Sequence, residues 1–504
     1  MPAFFASSAA PSIRRRAACA AAGLALALAP GAGAQGVAGL SLDDVLRTTL
    51  ASNAEIQTAA WEVERQSAAV RVAHGAFDPQ LAATLSGVRE RTPLFSAQNV
   101  PGISQANTLT WRFGMDQPFR SGLVVSPALS FSRLDAAGEV GGTRNQAAAM
   151  LGVTLPLLRG RGGGLAVAGE RAAVMRHSAS QAALQHRRAA ALLQAVEAYW
   201  EYAAAHERLK VLRTTEQRAA QLVEQTRTLV RADERPAVDL YPLEANLASR
   251  TALRIRGERA LTTARQELGR AMGIAPEAVR SLPPPSTPFP GPAEGIADAA
   301  TLVQAAPRAR PDLEAARRER EAARDLLSGY RGQARPRLDL NFTLGYQGLE
   351  AGDELGRLVS PFYSELGGMH TRLEVTYGFP VRNRLAGGLA MLSAAEERQA
   401  ELAYAELRRR VSLDAAAALE TLRSAAEELN QFAEAARLHA AAVESEQRRF
   451  QLGTGTIFDI IHAEDGRTTA TLEEIDARAR YAAALARLRY ETGTLAAAAP
   501  GEQP

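Results

Sequence analysis

The chain has 504 residues, 46% hydrophobic but only 5% aromatic, and is rich in alanine, a composition that favours helices. Its 58 basic and 55 acidic residues nearly cancel, and Arg408-Arg409-Arg410 is interspersed with Glu401, Glu406 and Asp414, which reads as a solvated helix face and not as a nucleic-acid patch. The seven histidines show no H-E-x-x-H or similar ligand set, and no nucleophile, acid and base stand together, so the chain reads as no enzyme, with no cofactor and no metal.

The N-terminus carries a targeting pattern. Arg14-Arg15-Arg16 precedes an apolar run from Ala17 to Ala29, then Pro30 and Ala32-Gly33-Ala34, the small-x-small form of a signal-peptidase site. Residues 1–34 read as a secretory signal cleaved after Ala34, which removes Cys19, the single cysteine. Beyond it no run of about 18 to 20 apolar residues occurs, so an exported protein of this kind is soluble or a β-barrel.

Ser41-Leu-Asp-Asp44 opens a first unit as an N-cap with acids behind it, and predicts a helix to about Ala73. From Asp78-Pro79 the period becomes two: Leu81, Ala83 and Leu85 alternate with small or polar residues, as do Leu109, Trp111, Phe113 and Met115. Gly122 to Arg133 and Leu151 to Leu157 read as two more strands. Gly160 and Gly162 to Gly164 lack the lysine and hydroxyl residue of a phosphate loop and read as a strand-to-helix hinge. A helical run from Leu165 to about Val230 follows, about 100 Å long at ~1.5 Å per residue. Leu247, Leu261 and Leu268 keep a seven-residue period on the way back to Gly273, the spacing of helices packed as a coiled coil.

The order then repeats. Residues 35–282 form the first repeat, a proline-rich linker covers 283–295, the second repeat covers 296–495, and 496–504 is a tail. Arg310-Pro-Asp-Leu-Glu314 matches Asn53-Ala-Glu-Ile-Gln57 at an offset of 257. Leu338, Leu340, Phe342, Leu344 and Tyr346 form one strand of a pair and Leu373, Val375, Tyr377, Phe379 and Val381 the other, placing the strands within 337–381. Past the first strands the offset is 224, so the first repeat carries 33 extra residues, a hairpin around Trp111 to Phe131 within strands 81–157.

Two tips close the long hairpins. At the second, Gly453 and Gly455 can supply positive φ for the reversal, and Asp459 sits in the first turn of the returning helix. Phe450, Asp459, Ile460 and Glu464 fall on Val230, Asp239, Leu240 and Glu244 of the first tip at an offset of 220. Trp111, Phe113, Phe131, Phe342 and Tyr346 read as facing lipid or forming an interfacial belt. Four strands in one repeat and two in the other are too few to close a barrel alone, which points to a symmetric oligomer.

This duplicated order, with Gly453-Thr454-x-Thr456-x-x-Asp459 at the second tip, resembles the TolC family of outer-membrane efflux channels over nearly the whole chain beyond the signal. The resemblance implies a mainly helical fold with membrane β-structure: a homotrimer in which two strands per repeat build one shared twelve-stranded barrel in outer-membrane lipid. The helices would form a tunnel in the periplasm. It also implies a passive exit duct of a tripartite efflux or type I secretion system, with a periplasmic adaptor and an inner-membrane pump or transporter as partners. Asp459 matches a position of the family's acidic rings, His462 stands where a second acid would be, and Asp239 matches a carboxylate that latches neighbouring hairpins. The latching arginine falls on Gly455, leaving Arg235 to take its place. Helix capping by Asp459, a plain surface role for His462 and a solvated turn at Asp233-Glu234 are the rival readings. A soluble periplasmic coiled-coil adaptor or scaffold is the alternative for the whole chain, although it leaves the strands unexplained.

Overall fold

The computed structural model describes residues 39–95, 101–137, 142–233, 236–291, 299–452 and 454–495. The signal segment, Glu234, Arg235, part of the linker, Gly453 and the tail lie outside the described residues.

The predicted first helix is two helices, α1 (Leu42–Ser52) and α2 (Ala54–His74). Asn53 between them is extended (φ −67°, ψ 124°), and its Oδ1 accepts the N–H groups of Glu55 and Ile56 at 2.9 and 3.4 Å. Its Nδ2 donates to the carbonyl of Ala271 at 3.0 Å, so the break also ties α2 to the far end of the first repeat. A local cap and a tertiary bond together outweigh the helical propensity on either side. The second repeat breaks at the matching position: α6 (Ala299–Ala309) and α7 (Pro311–Gln333) meet at Arg310 (φ −77°, ψ 120°), with Pro311 at the first helical position.

The long helices are α3 (Gly164–Arg231) and α8 (Arg384–Gln451), each of 68 residues and so about 100 Å long. They return as α4 (Leu240–Met272) and α9 (Ile457–Glu491), while a short α5 (Pro276–Arg280) follows α4. Gly273 ends α4 in the left-handed region (φ 72°), and Gly493, 220 residues on, follows α9 at φ 74°. Leu192, Val196, Tyr199 and Ala203 of α3 are buried against Leu268 and Met272 of α4 and Ala482 and Ala486 of α9. Leu422 and Leu429 of α8 meet Tyr481, Leu485 and Leu488 of α9 in a second cluster. Many buried positions are alanine, among them Ala195, Ala204 and Ala415, and small side chains let long helices lie close along their length.

The described part of the linker is fastened at Pro284 to Thr287. Leu40 and Pro285 form a parallel bridge, and Leu40 N–H donates to Pro284 O at 2.8 Å while Ser286 N–H donates to Leu40 O at 3.0 Å. Beneath them the buried Tyr199 hydroxyl donates to Leu40 O and accepts from Thr287 N–H, both at 3.0 Å.

Six strands form one antiparallel sheet in chain order: β1 (Gln80–Phe95), β2 (Pro101–Pro118), β3 (Val124–Ala137), β4 (Gly142–Pro156), β5 (Arg337–Ala351) and β6 (Gly367–Gly378). Phe379 and Val381, expected in the last strand, lie past its end, because Pro380 between them has no N–H to donate to a sheet. Strand and helix are joined by the glycine run: Gly160, Gly162, Gly163 and Gly164 all have positive φ, and Gly163 is the N-cap of α3. In the second repeat Asn383 (φ 35°) caps α8, and its Nδ2 donates to Ala334 O at 2.8 Å.

Candidate functional site

The register of the sheet decides which side chains share a face. Directly paired residues project to the same side. Leu85 pairs with Trp111, Trp111 with Phe131, Phe131 with Ala147, Ala149 with Tyr346, Val153 with Phe342 and Phe342 with Leu373. Following these pairs across the sheet puts Trp111, Phe113, Phe131, Phe342 and Tyr346 on one face, with Leu81, Leu129, Leu151, Leu344 and Val375. The other face carries Thr84, Thr110, Ser132, Thr154, Asn341 and Thr376, whose side chains bond across strands: Thr110 with Ser132, and Asn341 with both Thr154 and Thr376. Phe131 is partly covered, since Phe362 of the β5–β6 connection packs edge-on against it at 5.9 Å. The connection lies over the apolar face there, where Gly348 leaves room for Pro361: a Cβ on Gly348 would stand 1.7 Å from the Pro361 carbonyl oxygen.

At the other end of the long helices the two tips pack together. Val223 of α3, Leu243 of α4 and Ile457 of α9 are buried against one another, flanked by Leu222, Leu247, Phe450 and Ile461. In the second tip Thr454 N–H and Oγ1 both donate to Arg449 O, at 3.0 and 3.1 Å. Gly455 does not take the positive φ expected of it. The turn is nonetheless close there: a Cβ would lie 3.2 Å from the amide nitrogen of Phe450. In the first tip the left-handed residue is Asp233 (φ 61°), and a single turn, Ala237–Asp239, leads into α4.

Asp459 is a capping residue. Thr456 N–H and Oγ1 donate to its carboxylate at 2.8 and 2.7 Å, and its own N–H donates to Thr456 Oγ1 at 3.3 Å, a reciprocal capping box. These bonds, helped by the charges of Arg449 and His462, hold the carboxyl below the usual aspartate range, so it is ionised at neutral pH. Asp459 and His462 are both exposed, and Asp239 is half-buried at the end of its turn. Thr456→Ala removes one half of the box and is expected to cost about 1 kcal/mol. Hydrogen exchange at the Asp459 amide reads this directly, and unchanged protection would show that the box contributes nothing there.

The sequence reading missed a charged crossing between the hairpins. Glu464 of α9 is held by Arg467 at 2.7 Å and faces Arg218 of α3 at 3.7 Å, while Arg250 of α4 reaches Asp465. Burial pushes the Glu464 carboxyl up, against the pull of Arg218 and Arg250. Its repeat partner Glu244 instead bonds Arg227 at 3.0 Å within its own hairpin. The crossing lines a cleft of about 480 Å³ together with Asn246 and Glu444. Only the echo of Glu244 and Glu464 signalled it, and that echo carried no partner.

Residues 45–274 match the model of the family described as "Outer membrane efflux protein". The whole fold agrees with that match. The outer membrane protein VceC of Vibrio cholerae is similar over 90% of this chain and 96% of its own, at 16% identity and a TM-score of 0.64. The CmeC outer membrane channel of Campylobacter jejuni is similar over 90% and 86%, at 13% identity and a TM-score of 0.65. The MtrE outer membrane channel of Neisseria gonorrhoeae, in its open state, is similar over 90% and 89%, at 18% identity and a TM-score of 0.60. Residues 45–274 are thus similar to the outer membrane efflux protein family, and the fold of the described chain is that of the outer-membrane channels. No curated protein sequence matches it significantly. The match and the fold together make it a channel component of the outer membrane and not an enzyme, with its long helices on the periplasmic side. Among the described residues no helix is long and apolar enough to cross a membrane.

Proposed function

We propose that three copies of this chain close one barrel and one helical tunnel, forming a passive exit duct. Substrate would be delivered by an inner-membrane pump or transporter through a periplasmic adaptor. The observation that carries this reading is the sheet: one face apolar, the other polar, and strands β1 and β6 without a second neighbour among the described residues. An edge left open in lipid exposes unpaired backbone groups, and pairing β1 of one copy with β6 of the next removes every edge. On β5 the apolar face from Leu338 to Tyr346 covers eight residue steps, about 27 Å along the strand and a little over 20 Å of height at a tilt of ~40°. That suits the apolar band of an outer-membrane barrel, with Trp111, Phe113, Phe342 and Tyr346 towards lipid and Phe131 beneath its loop. A soluble adaptor or scaffold gives no use for such a face.

The tips form the periplasmic end. Val238, Tyr241, Leu452 and Phe458 are exposed there, an apolar fringe suited to an adaptor. Three Asp459 carboxylates around the axis would attract cations and narrow the exit, with His462 beside each and Asp239 of the first tip, with Arg235, holding neighbouring hairpins. Single-channel conductance of Asp459→Asn in planar bilayers separates this ring from capping alone. Asparagine keeps an acceptor oxygen for Thr456 and removes only the charge. Small, cation-selective openings in the wild type that enlarge and lose selectivity in the variant support the ring. Identical openings leave Asp459 as a cap, and an absence of channels from folded protein would count against the duct.

A further inference from the structure

The extra hairpin of the first repeat has three properties that together place it. It is full height: β2 and β3 have 18 and 14 residues, against 16 and 15 in the flanking β1 and β4. Its register is continuous, from Gln80 opposite Asp116 to Phe95 opposite Pro101 on one side and from Val124 opposite Thr154 to Ala136 opposite Gly142 on the other. It also keeps the two faces of the sheet, with Trp111, Phe113, Leu129 and Phe131 on the apolar side and Thr110, Ser130 and Ser132 on the polar side. A plug or cap in water would have no reason to continue a lipid pattern in register with the wall.

The lower turn of the hairpin, between β2 and β3, is built into the junction of strand and helix. Ser121 O accepts the N–H of Gly162 at 2.9 Å, and Gly122 (φ 91°) lies so close that a Cβ would stand 2.3 Å from Gly160 O. Arg120 Nε donates to both oxygens of Glu170 on α3, at 3.0 and 2.9 Å, and its guanidinium lies 4.8 Å above the Phe77 ring. The Glu170 side chain is only 10% exposed and also meets His74 at 2.8 Å, so one carboxylate gathers the ends of α2, α3 and the hairpin. The bonds from Arg120 hold it ionised well into acid.

We infer that the hairpin is membrane wall, and that three six-stranded sheets close a barrel of eighteen strands where the family resemblance implies twelve. This rests on the trimeric reading above. Barrel diameter grows roughly linearly with strand number, so the bore is about 1.5 times wider and its cross-section roughly 2.25 times larger than with twelve strands. The number of long helices is unchanged at two hairpins per copy. The barrel is therefore wider than its periplasmic tunnel requires. It opens outward, and any sorting of cargo by size falls to the helices and their tips.

Imaging of the full chain in lipid nanodiscs, at a resolution that separates strands, tests this. A three-fold barrel of eighteen strands is expected. A three-fold barrel of twelve with the hairpins outside it overturns the inference and leaves the trimeric duct standing, whereas no three-fold barrel sinks both. Thiol labelling reads the same question without imaging. In a Cys19→Ala background, Thr110→Cys faces the aqueous bore and Phe113→Cys faces lipid. A thiol in apolar surroundings has a raised pKa, and each unit removes about tenfold of the reactive thiolate, so a charged, water-soluble reagent should label Thr110→Cys at least ~10-fold faster. Equal rates would place both faces of the hairpin in water and overturn the inference. Ser130→Cys and Leu129→Cys on β3 repeat the comparison should either β2 variant fail to fold.

Discussion

Replacing Arg310 by methionine is expected to lower stability by about 3–5 kcal/mol, the usual cost of stripping one partner from a buried ion pair. Arg310 stands at the break between α6 and α7, with its side chain 8% exposed. Its Nη1 donates to Glu491 Oε2 at 2.5 Å, and Nε and Nη2 donate to Asp312 at 2.9 and 2.7 Å. Its guanidinium lies 5.0 Å above the Tyr490 ring, and Glu491, also bonded by Arg487 at 2.8 Å, is almost fully buried. Methionine fills similar space, takes from Asp312 its bonded cation and leaves Glu491 with Arg487 alone. The midpoint of thermal unfolding in detergent, followed by helical circular dichroism, measures the loss. Pairing Arg310→Met with Asp312→Leu should recover part of it, because an apolar replacement of the pair removes the carboxylate that is left without its cation. Wild-type melting of the single variant would show that the cluster does not hold the helices together.

The same cluster sets a pH window. Burial works to raise the Asp312 carboxyl, but the bonds and charge of Arg310 outweigh it and hold the group below its ordinary value. Burial likewise opposes the charge on Arg310, and Asp312 and Glu491 more than offset it, so its pKa is raised. A depressed carboxylate contributes stability above its unfolded pKa of about 3.9 and loses it as the pH falls through the folded value. A raised guanidinium keeps its charge across the ordinary pH range, so the pair acts from roughly pH 4 upward. Acid sensitivity below pH 4 should be weaker in Arg310→Met than in the wild type.

Tyr199→Phe is the second large effect. The hydroxyl answers two backbone groups at once, Leu40 O and Thr287 N–H, in a site where the ring is fully buried. Removing it leaves Thr287 N–H without its partner while Leu40 O keeps Ser286 N–H, and at about 1–3 kcal/mol for a buried group left unpaired a loss on the order of 1–3 kcal/mol is expected. The loss has a signature beyond melting. The segment Pro283 to Thr287 is strapped to α3 by Tyr199 and, through Pro283 O, by Tyr202 at 3.1 Å. Its release should expose residues 283–291 to limited proteolysis while the long helices remain resistant. Equal cleavage rates would mean that the strap is held by its own bridge to Leu40.

Both residues show where sequence reading stopped. The helical run from Leu165 to about Val230 put Tyr199 on a helix, and the offset of 257 put Arg310 opposite Asn53, yet neither pattern names a partner. Tyr199 meets residues 159 and 88 positions away, and Arg310 meets one 181 positions away. Periodicity reports which side of a helix is buried and says nothing of what lies across from it. At the tips, Asp459 was visible as a first-turn acid, but the choice between cap and bare charge depended on where Thr456 folds. At Gly455 the glycine signals a turn, but the residue takes no positive φ and instead lies close to Phe450.

What the sequence by itself determined is the duplicated order, the two long helical runs and the alternation of the strands, because these follow from local period and from the glycines and prolines that interrupt it. The tertiary structure alone decided how the strands join. Alternation shows that a strand has two faces, but pairing and register are long-range choices, and only they put the hairpin of β2 and β3 into the sheet with its aromatics on the same side as Phe342 and Tyr346. The junction at Glu170 belongs to the same class: three segments far apart in sequence meet on one carboxylate because the sheet and the helices bring them there.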